Sequence, residues 1–214
     1  MRLLLNNLLV SYYHGQHLVL NRLSYEFQDK RLYGIIGASG SGKSTILNLI
    51  MLLEKPQQGE IFLDNVNIIA FDTNKRSKYL TNDVGIVFQH FNLVSSLSIL
   101  ENLVINNQTS HQAEIDTLLL EYGFKDLESK NISVLSNGEK QRLCFIRAIL
   151  KRPRILLCDE PTGSLDHDNS LKIMQFIKAY SQKHLVILVS HNVELVRRFA
   201  DVVLELKDGK LHEA

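Results

Sequence analysis

Along the first third of the chain, apolar positions fall mainly at strand spacing. In LVLNRLSYEF, Leu23, Tyr25 and Phe27 alternate with Ser24 and Glu26, the two-residue period of a half-buried strand. The opening MRLLLNNLLVSYY is apolar but interrupted by Asn6 and Asn7. It reads as a strand, because no small-residue cleavage site of a secretory leader follows it. RLYGIIG is a short apolar run that enters a glycine-rich loop, and STILNLIMLLE beyond the loop reads as a buried helix. GEIFLDNVNI resembles a hairpin turning at Asp64 and Asn65.

From DVGIVF onward the rhythm changes. The segment from about Leu97 to Leu135 is helical and interrupted by polar residues, with QAEIDTLLLEYGF its clearest amphipathic piece. In the last third, strands and helices alternate: RILLCDE, SLKIMQFIKAY, LVILVS, VELVRRFA and DVVLELKDG. Apolar strands alternating with helices predict a parallel sheet covered on both faces. The expected layout is one domain over residues 1–214, with an α/β core at 1–90 and 136–214 and a small helical insertion at about 91–135.

Composition narrows this picture without redirecting it. A chain of 214 residues with 45% hydrophobic and 22% charged residues suits one substantial core. Lys plus Arg total 24 against 23 for Asp plus Glu, a net charge of +1, so a basic nucleic-acid-binding domain is excluded. Cys144 and Cys158 each sit inside an apolar run and read as buried thiols, not as a disulfide framework. No apolar run reaches the ~20 residues that cross a bilayer. The expectation is a soluble, cytoplasmic chain whose membrane role, if any, comes through a partner.

Candidate chemistry begins at GASGSGKST, comprising Gly37, Ala38, Ser39, Gly40, Ser41, Gly42, Lys43, Ser44 and Thr45. It follows a strand, opens a helix and satisfies G-x-x-x-x-G-K-[ST]. Glycines let the backbone curl around phosphate oxygens, so that successive N–H groups point inward. The helix behind the loop offers the positive end of its dipole to the same charge. Lys43 would bridge the β- and γ-phosphates, and the Ser44 hydroxyl would complete a Mg²⁺ shell. The chain is expected to bind a nucleoside triphosphate.

Kinases and GTPases share that loop, so the reaction must be read elsewhere. RILLCDEP is an apolar strand ending in Asp159 and Glu160, at the end where parallel sheets place ligands. Asp159 is the natural Mg²⁺ partner, and Glu160 can orient or deprotonate an attacking water. One acid for the metal and one for water implies hydrolysis.

With these pieces in order, the chain resembles an ABC-type ATPase subunit over nearly its whole length. Tyr12 follows the first strand, then come the glycine-rich loop and Gln89 in IVFQHFNL. LSNGEKQR precedes the acid pair, PTGSLD follows it, and His191 closes LVILVSHN. The resemblance implies a P-loop NTPase core of α/β class with an N-terminal antiparallel β part and a small helical insertion. It also implies that Tyr12 (or Tyr13, if the register slips by one) stacks on adenine. Gln89 would touch Mg²⁺ or the attacking water, and His191 would contact the γ-phosphate and hold Glu160 in line. Two copies would pair head to tail around ATP, with Ser136, Asn137, Gly138, Glu139 and Asp166 of one copy reaching the nucleotide of the other. A separate transmembrane subunit would be contacted through Phe91 to Leu103, unless those apolar residues are core, and would hold the chain at the inner face of the membrane.

VFQHFNLVSSLSILENL and DEPTGSLD look most like the branch of lipoprotein-release, cell-division and macrolide- or peptide-export ATPases. The expectation is therefore an exporter of a peptide, drug or lipid-like substrate. The alternative is an ATPase driving a non-transporting partner in cell division or envelope signalling. Within LSNGEKQR, Ser136 and Glu139 have capping-box spacing, and Asn137 stands where the family carries Gly. If that position needs a left-handed backbone, Asn costs about 1 kcal/mol relative to Gly. Glu139 would repel a phosphate unless its side chain turns back to cap the helix.

Overall fold

The computed structural model describes residues 1–12, 17–105, 112–124 and 128–214. Strands β1 (Arg2–Tyr12) and β2 (His17–Gln28) pair antiparallel, with Leu3 opposite Phe27 and Leu5 opposite Tyr25. The chain leaves this pair as β3 (Leu32–Ile36), which belongs to a second sheet, and returns as β4 (Gln58–Leu63) and β5 (Val66–Asn67). The first sheet has four strands in the order β2-β1-β4-β5. Asn6 and Asn7 do not end β1. The register against β2 shifts there, Asn7 takes φ 54°, and its N–H donates to Ser24 Oγ at 2.8 Å. This is a bulge, which bends a strand without terminating it.

The expected hairpin forms at Asp64 and Asn65, with φ 47° and 71°. Two consecutive left-handed residues make the mirror-image turn that matches strand twist. Asp64 does more than turn: one carboxylate oxygen accepts from Arg2 N at 2.8 Å and the other pairs with Arg154. The carboxyl lies below its usual range. Burial works against that shift, but the Arg2 N–H and the Arg154 guanidinium outweigh it.

The second sheet gathers β3 with β6 (Val84–Val87), β7 (Ile155–Asp159), β8 (Leu185–Val189), β9 (Val202–Lys207) and β10 (Lys210–Glu213). Its order is β10-β9-β3-β8-β7-β6, all parallel except the edge strand β10. β3 and β8 are buried at every residue, which is why their sequences are apolar throughout. Alternation still sorts the two faces. Ile155, Leu157, Leu185, Ile187 and Val189 join one core with the first sheet and helix α1 (Lys43–Ile50). Leu156, Cys158, Val186 and Leu188 join a second core with the helices on the other side. Cys144 and Cys158 are both buried and unpaired, and burial pushes the Cys144 thiol up to about 12.

Two helices differ from expectation. α1 stops at Ile50, short of Glu54. Leu52 takes φ 57°, its N–H donates to Leu49 O and that of Leu53 to Asn48 O. This is the helix-ending pattern that usually carries glycine. A buried leucine fills it here, its side chain packed in the first core. α2 (Thr73–Asn82) was not expected at all. It is capped by Asp72, whose side chain accepts from Lys75 N, and buries only Tyr79. A helix without an apolar stripe leaves no period to read.

The remaining helices are α3 (Ile99–Val104), α4 (Gln112–Glu121), α5 (Asn137–Ile149), α6 (His167–Ser181) and α7 (Val193–Phe199). α4 is the amphipathic piece anticipated, burying Ile115 and Leu119. Residues 106–111 and 125–127 of the expected insertion lie outside the described residues. Among the described residues, no helix is long and apolar enough to cross a membrane.

The hairpin separates turn conformation from side-chain ties. Asn65→Gly should raise stability by up to about 1 kcal/mol, because glycine suits the second turn position. Asp64→Gly should lower it by about 1 kcal/mol despite the freer turn, through lost bonds to Arg2 and Arg154. Urea-unfolding midpoints of the two variants should therefore move in opposite directions.

Candidate active site

The glycine-rich loop runs from the end of β3 into α1, and its backbone dictates its residues. Gly40 and Gly42 take φ 76° and 103°. At Gly42 a Cβ would also meet Val19 Cγ1 at 2.4 Å, so both conformation and space demand glycine. Lys43 is 8% exposed, and its ammonium donates to Gly37 O and Ala38 O at 2.9 Å each. Ser41 N donates to Ala38 O, and Ser41 Oγ is buried without a partner among the described residues.

A cleft of about 650 Å³ opens over this loop. Ser39, Gly40, Gly42, Lys43, Ser44 and Thr45 line it, together with Tyr12, Gln89, Asp159, Glu160 and His191. Ser44 Oγ donates to Asp159 Oδ1 at 3.1 Å. Burial raises the Asp159 carboxyl above its ordinary range and the adjacent Glu160 charge adds to this, while Ser44 and Lys43 pull the other way. Two oxygen donors held this close, one a carboxylate, suit a hard divalent cation.

Glu160 is a non-glycine residue at φ 47°, a conformation that persists only where neighbours impose it. Here its N–H donates to Val189 O at 3.0 Å and its carbonyl accepts from Gly163 N at 3.1 Å. The carboxylate is 14% exposed and its Oε2 lies 2.9 Å from His191 Nδ1. The His191 side chain is 69% exposed, so the rest of the imidazole stays open to the cleft.

Tyr12 stands at the rim, with its hydroxyl donating to Glu54 Oε2 at 2.6 Å and lying 3.2 Å from Thr45 Oγ1. Burial and the Glu54 carboxylate raise the phenol above its usual range. Tyr13, the alternative stacking residue, lies outside the described residues. Gln89 follows β6, and its Nε2 would lie 3.3 Å from a Cβ placed on Gly163. Its flanks are held by α5. Gln141 Nε2 donates to Phe88 O at 3.4 Å, Cys144 Sγ to Phe91 O at 3.0 Å, and Arg147 to Phe91 O and Asn92 O at 2.8 and 2.7 Å.

Ser136, Asn137, Gly138, Glu139 and Asp166 do not line this cleft. Ser136 caps α5 in a full capping box: its Oγ accepts from Glu139 N at 3.3 Å, and its N–H donates to Glu139 Oε2 at 2.8 Å. Glu139 thus turns back on the cap, and hydrogen bonds from the Ser136 side chain and backbone lower its carboxyl. Asn137 is the first helical residue of α5 and has no positive φ. The left-handed cost raised for it does not arise, because that cost belongs to a turn and not to a first helical position. Gly138 has a different reason to be glycine: a Cβ would come within 2.5 Å of the Asn169 carboxamide.

Sequence reading missed the residues that hold these groups. Asp166 caps α6 by accepting from Asn169 N and Nδ2, both at 2.8 Å, and Arg142 Nη1 donates to Asn169 Oδ1 at 3.4 Å. Asn169 therefore joins the loop after the acids to the start of α5. Its one local signal was Asx spacing, three residues beyond Asp166. Ser190, next to His191, bonds to Glu160, and nothing in its immediate sequence marks it.

Comparison with known proteins places this geometry. The ABC transporter family model matches residues 20–163. Methionine import ATP-binding protein MetN 2 of Pseudomonas entomophila is 37% identical over 204 residues, covering 91% of this chain and 60% of that protein. MetN of Escherichia coli is 32% identical over 219 residues, covering 98% of this chain and 64% of that protein. The chain thus spans less than two thirds of the length of these curated relatives. Among solved structures, the dimeric ATP-binding cassette MJ0796 in a post-hydrolysis state with ADP and Pi is 30% identical, with a TM-score of 0.86. That likeness covers 99% of this chain and 97% of the other. A bacterial Atm1-family ABC exporter with ATP bound is 26% identical with a TM-score of 0.85, over 99% of this chain and 38% of the exporter.

The relatives named for import overturn the expected exporter and the release, division and export branch, and they do not support the cell-division or envelope-signalling alternative. The reason is physical. Of DEPTGSLD and VFQHFNLVSSLSILENL, only Asp159, Glu160 and Gln89 line the cleft, and the same cassette fold occurs in an exporter, so these residues do not encode direction. Kinship rests instead on the family model and on identity along the chain: this protein belongs to the ABC transporter family and is an ABC-type ATP hydrolase.

Proposed function

We propose that the chain powers an ABC importer of methionine or a chemically similar amino acid. The observation that carries this reading is 37% identity over 91% of the chain with a methionine import ATP-binding protein. The cleft supplies the engine. The loop from Gly37 to Thr45 cradles the ATP phosphates with backbone N–H groups, and Lys43 exchanges its loop carbonyls for phosphate oxygens. Mg²⁺, when bound, neutralises phosphate charge, and Ser44, Asp159 and Gln89 would hold it, all through oxygen. Glu160 takes a proton from the attacking water at Oε1, since Oε2 is already occupied by His191. His191 presents its free edge to the γ-phosphate. Tyr12 stacks on adenine from a ring fixed by Glu54 and Thr45.

Assembly follows from what the cleft omits. Ser136 and Asn137 are exposed, and with Gly138, Glu139 and Asp166 they lie away from the chain's own nucleotide cleft. A second copy, head to tail, brings them to the γ-phosphate, where the start of α5 offers free N–H groups. The dimeric MJ0796 cassettes support this pairing. The insertion at about 91–135 meets a transmembrane subunit near Phe91 to Leu103, where Val94 is 40% exposed. That contact holds the chain at the inner face of the membrane.

Glu160→Gln should bind ATP as the parent does, lose at least about 100-fold in turnover, and accumulate as an ATP-bound dimer on size exclusion. A monomer at saturating ATP would remove the pairing. Lys43→Ala should weaken fluorescent-nucleotide binding by at least about tenfold. Cells lacking this chain should lose uptake of labelled methionine, recovering it with the parent gene and not with Glu160→Gln. Uptake that is intact without the chain would exclude methionine as cargo.

A further inference from the structure

Glu160 Oε2 has two polar neighbours, and they differ in permanence. His191 Nδ1 reaches Oε2 from a side chain that is 69% exposed. Ser190 reaches the same oxygen from the interior: it is 3% exposed, and its hydroxyl donates to Glu160 Oε2 at 3.1 Å. Its own N–H donates to Ile35 O at 3.1 Å, fixing Ser190 as a further rung between β8 and β3. The hydroxyl is oriented as well as placed. It accepts from Asn192 N at 3.1 Å, which leaves its proton directed at the carboxylate. Asn192 is itself anchored as the cap of α7, its Oδ1 accepting from Leu195 N at 3.1 Å. Among the described residues no group donates to Glu160 Oε1, and both neighbours lie at Oε2, which leaves Oε1 for a ligand.

A carboxylate turns about a broad, two-fold terminal torsion, and one exposed histidine is a weak brake on it. We propose that Ser190 is a positioning residue for Glu160: its buried, oriented hydroxyl fixes the carboxylate plane and reserves Oε1 for the attacking water. The same hydroxyl ties the His191 backbone to that plane through Asn192, so acid and imidazole keep one relative geometry. This rests on Glu160 being the group that activates water.

The test compares Ser190→Ala, Ser190→Thr and Glu160→Gln in the full chain, with kcat, KM for ATP and nucleotide affinity measured for each. Ser190→Ala should lower kcat about tenfold, the scale of a hydrogen bond to a charged group, with KM and nucleotide affinity unchanged. Ser190→Thr keeps the hydroxyl and should restore most of that loss. Full kcat in Ser190→Ala, equal loss in Ser190→Thr, or affinity falling in step with kcat would each overturn the assignment. Turnover surviving Glu160→Gln would instead overturn the reading of Glu160, a result separable from any outcome at Ser190.

Discussion

Both faces of the parallel sheet are covered, so only the ends of its strands are available for chemistry. The loop from Gly37 follows β3, Gln89 follows β6, Asp159 ends β7, and His191 follows β8. Strand pairing brings them level, since Asp159 lies opposite Val189 and Val189 opposite Ile35. A one-residue slip of any strand would exchange its two faces, sending Leu156 and Cys158 toward the core that now holds Ile155 and Leu157. The burial that secures the fold therefore also sets the depth of each functional group.

Much of this site was legible because its residues are constrained by type. Gly42 must tolerate φ 103° and the proximity of Val19, and an acid pair closing an apolar strand has few other uses. The poorly legible parts are positional. α2 has no apolar stripe, α1 ends on a leucine where the pattern favours glycine, and Ser190 and Asn169 act through where they stand. Transport direction was misread for a related reason: residues that grip nucleotide describe the engine and not the cargo.

The strain at Glu160 has an equivalent explanation. Its left-handed backbone is imposed from both sides, by Val189 O on its N–H and by Gly163 N on its carbonyl. The side chain is then held by the Ser190 hydroxyl, with His191 beside it, at the next strand's end. Neighbouring strands, and not the acid's own preferences, define its position.

The grip of α5 on the Gln89 segment carries a different consequence. Gln141, Cys144 and Arg147 take hold only of carbonyl oxygens, those of Phe88, Phe91 and Asn92. Such a hold is blind to side-chain identity, because every residue carries the same carbonyl. The outward side chains of this segment can thus be changed without loosening the frame behind them. Substitutions there would alter the face that the segment presents and leave its anchoring to α5 in place.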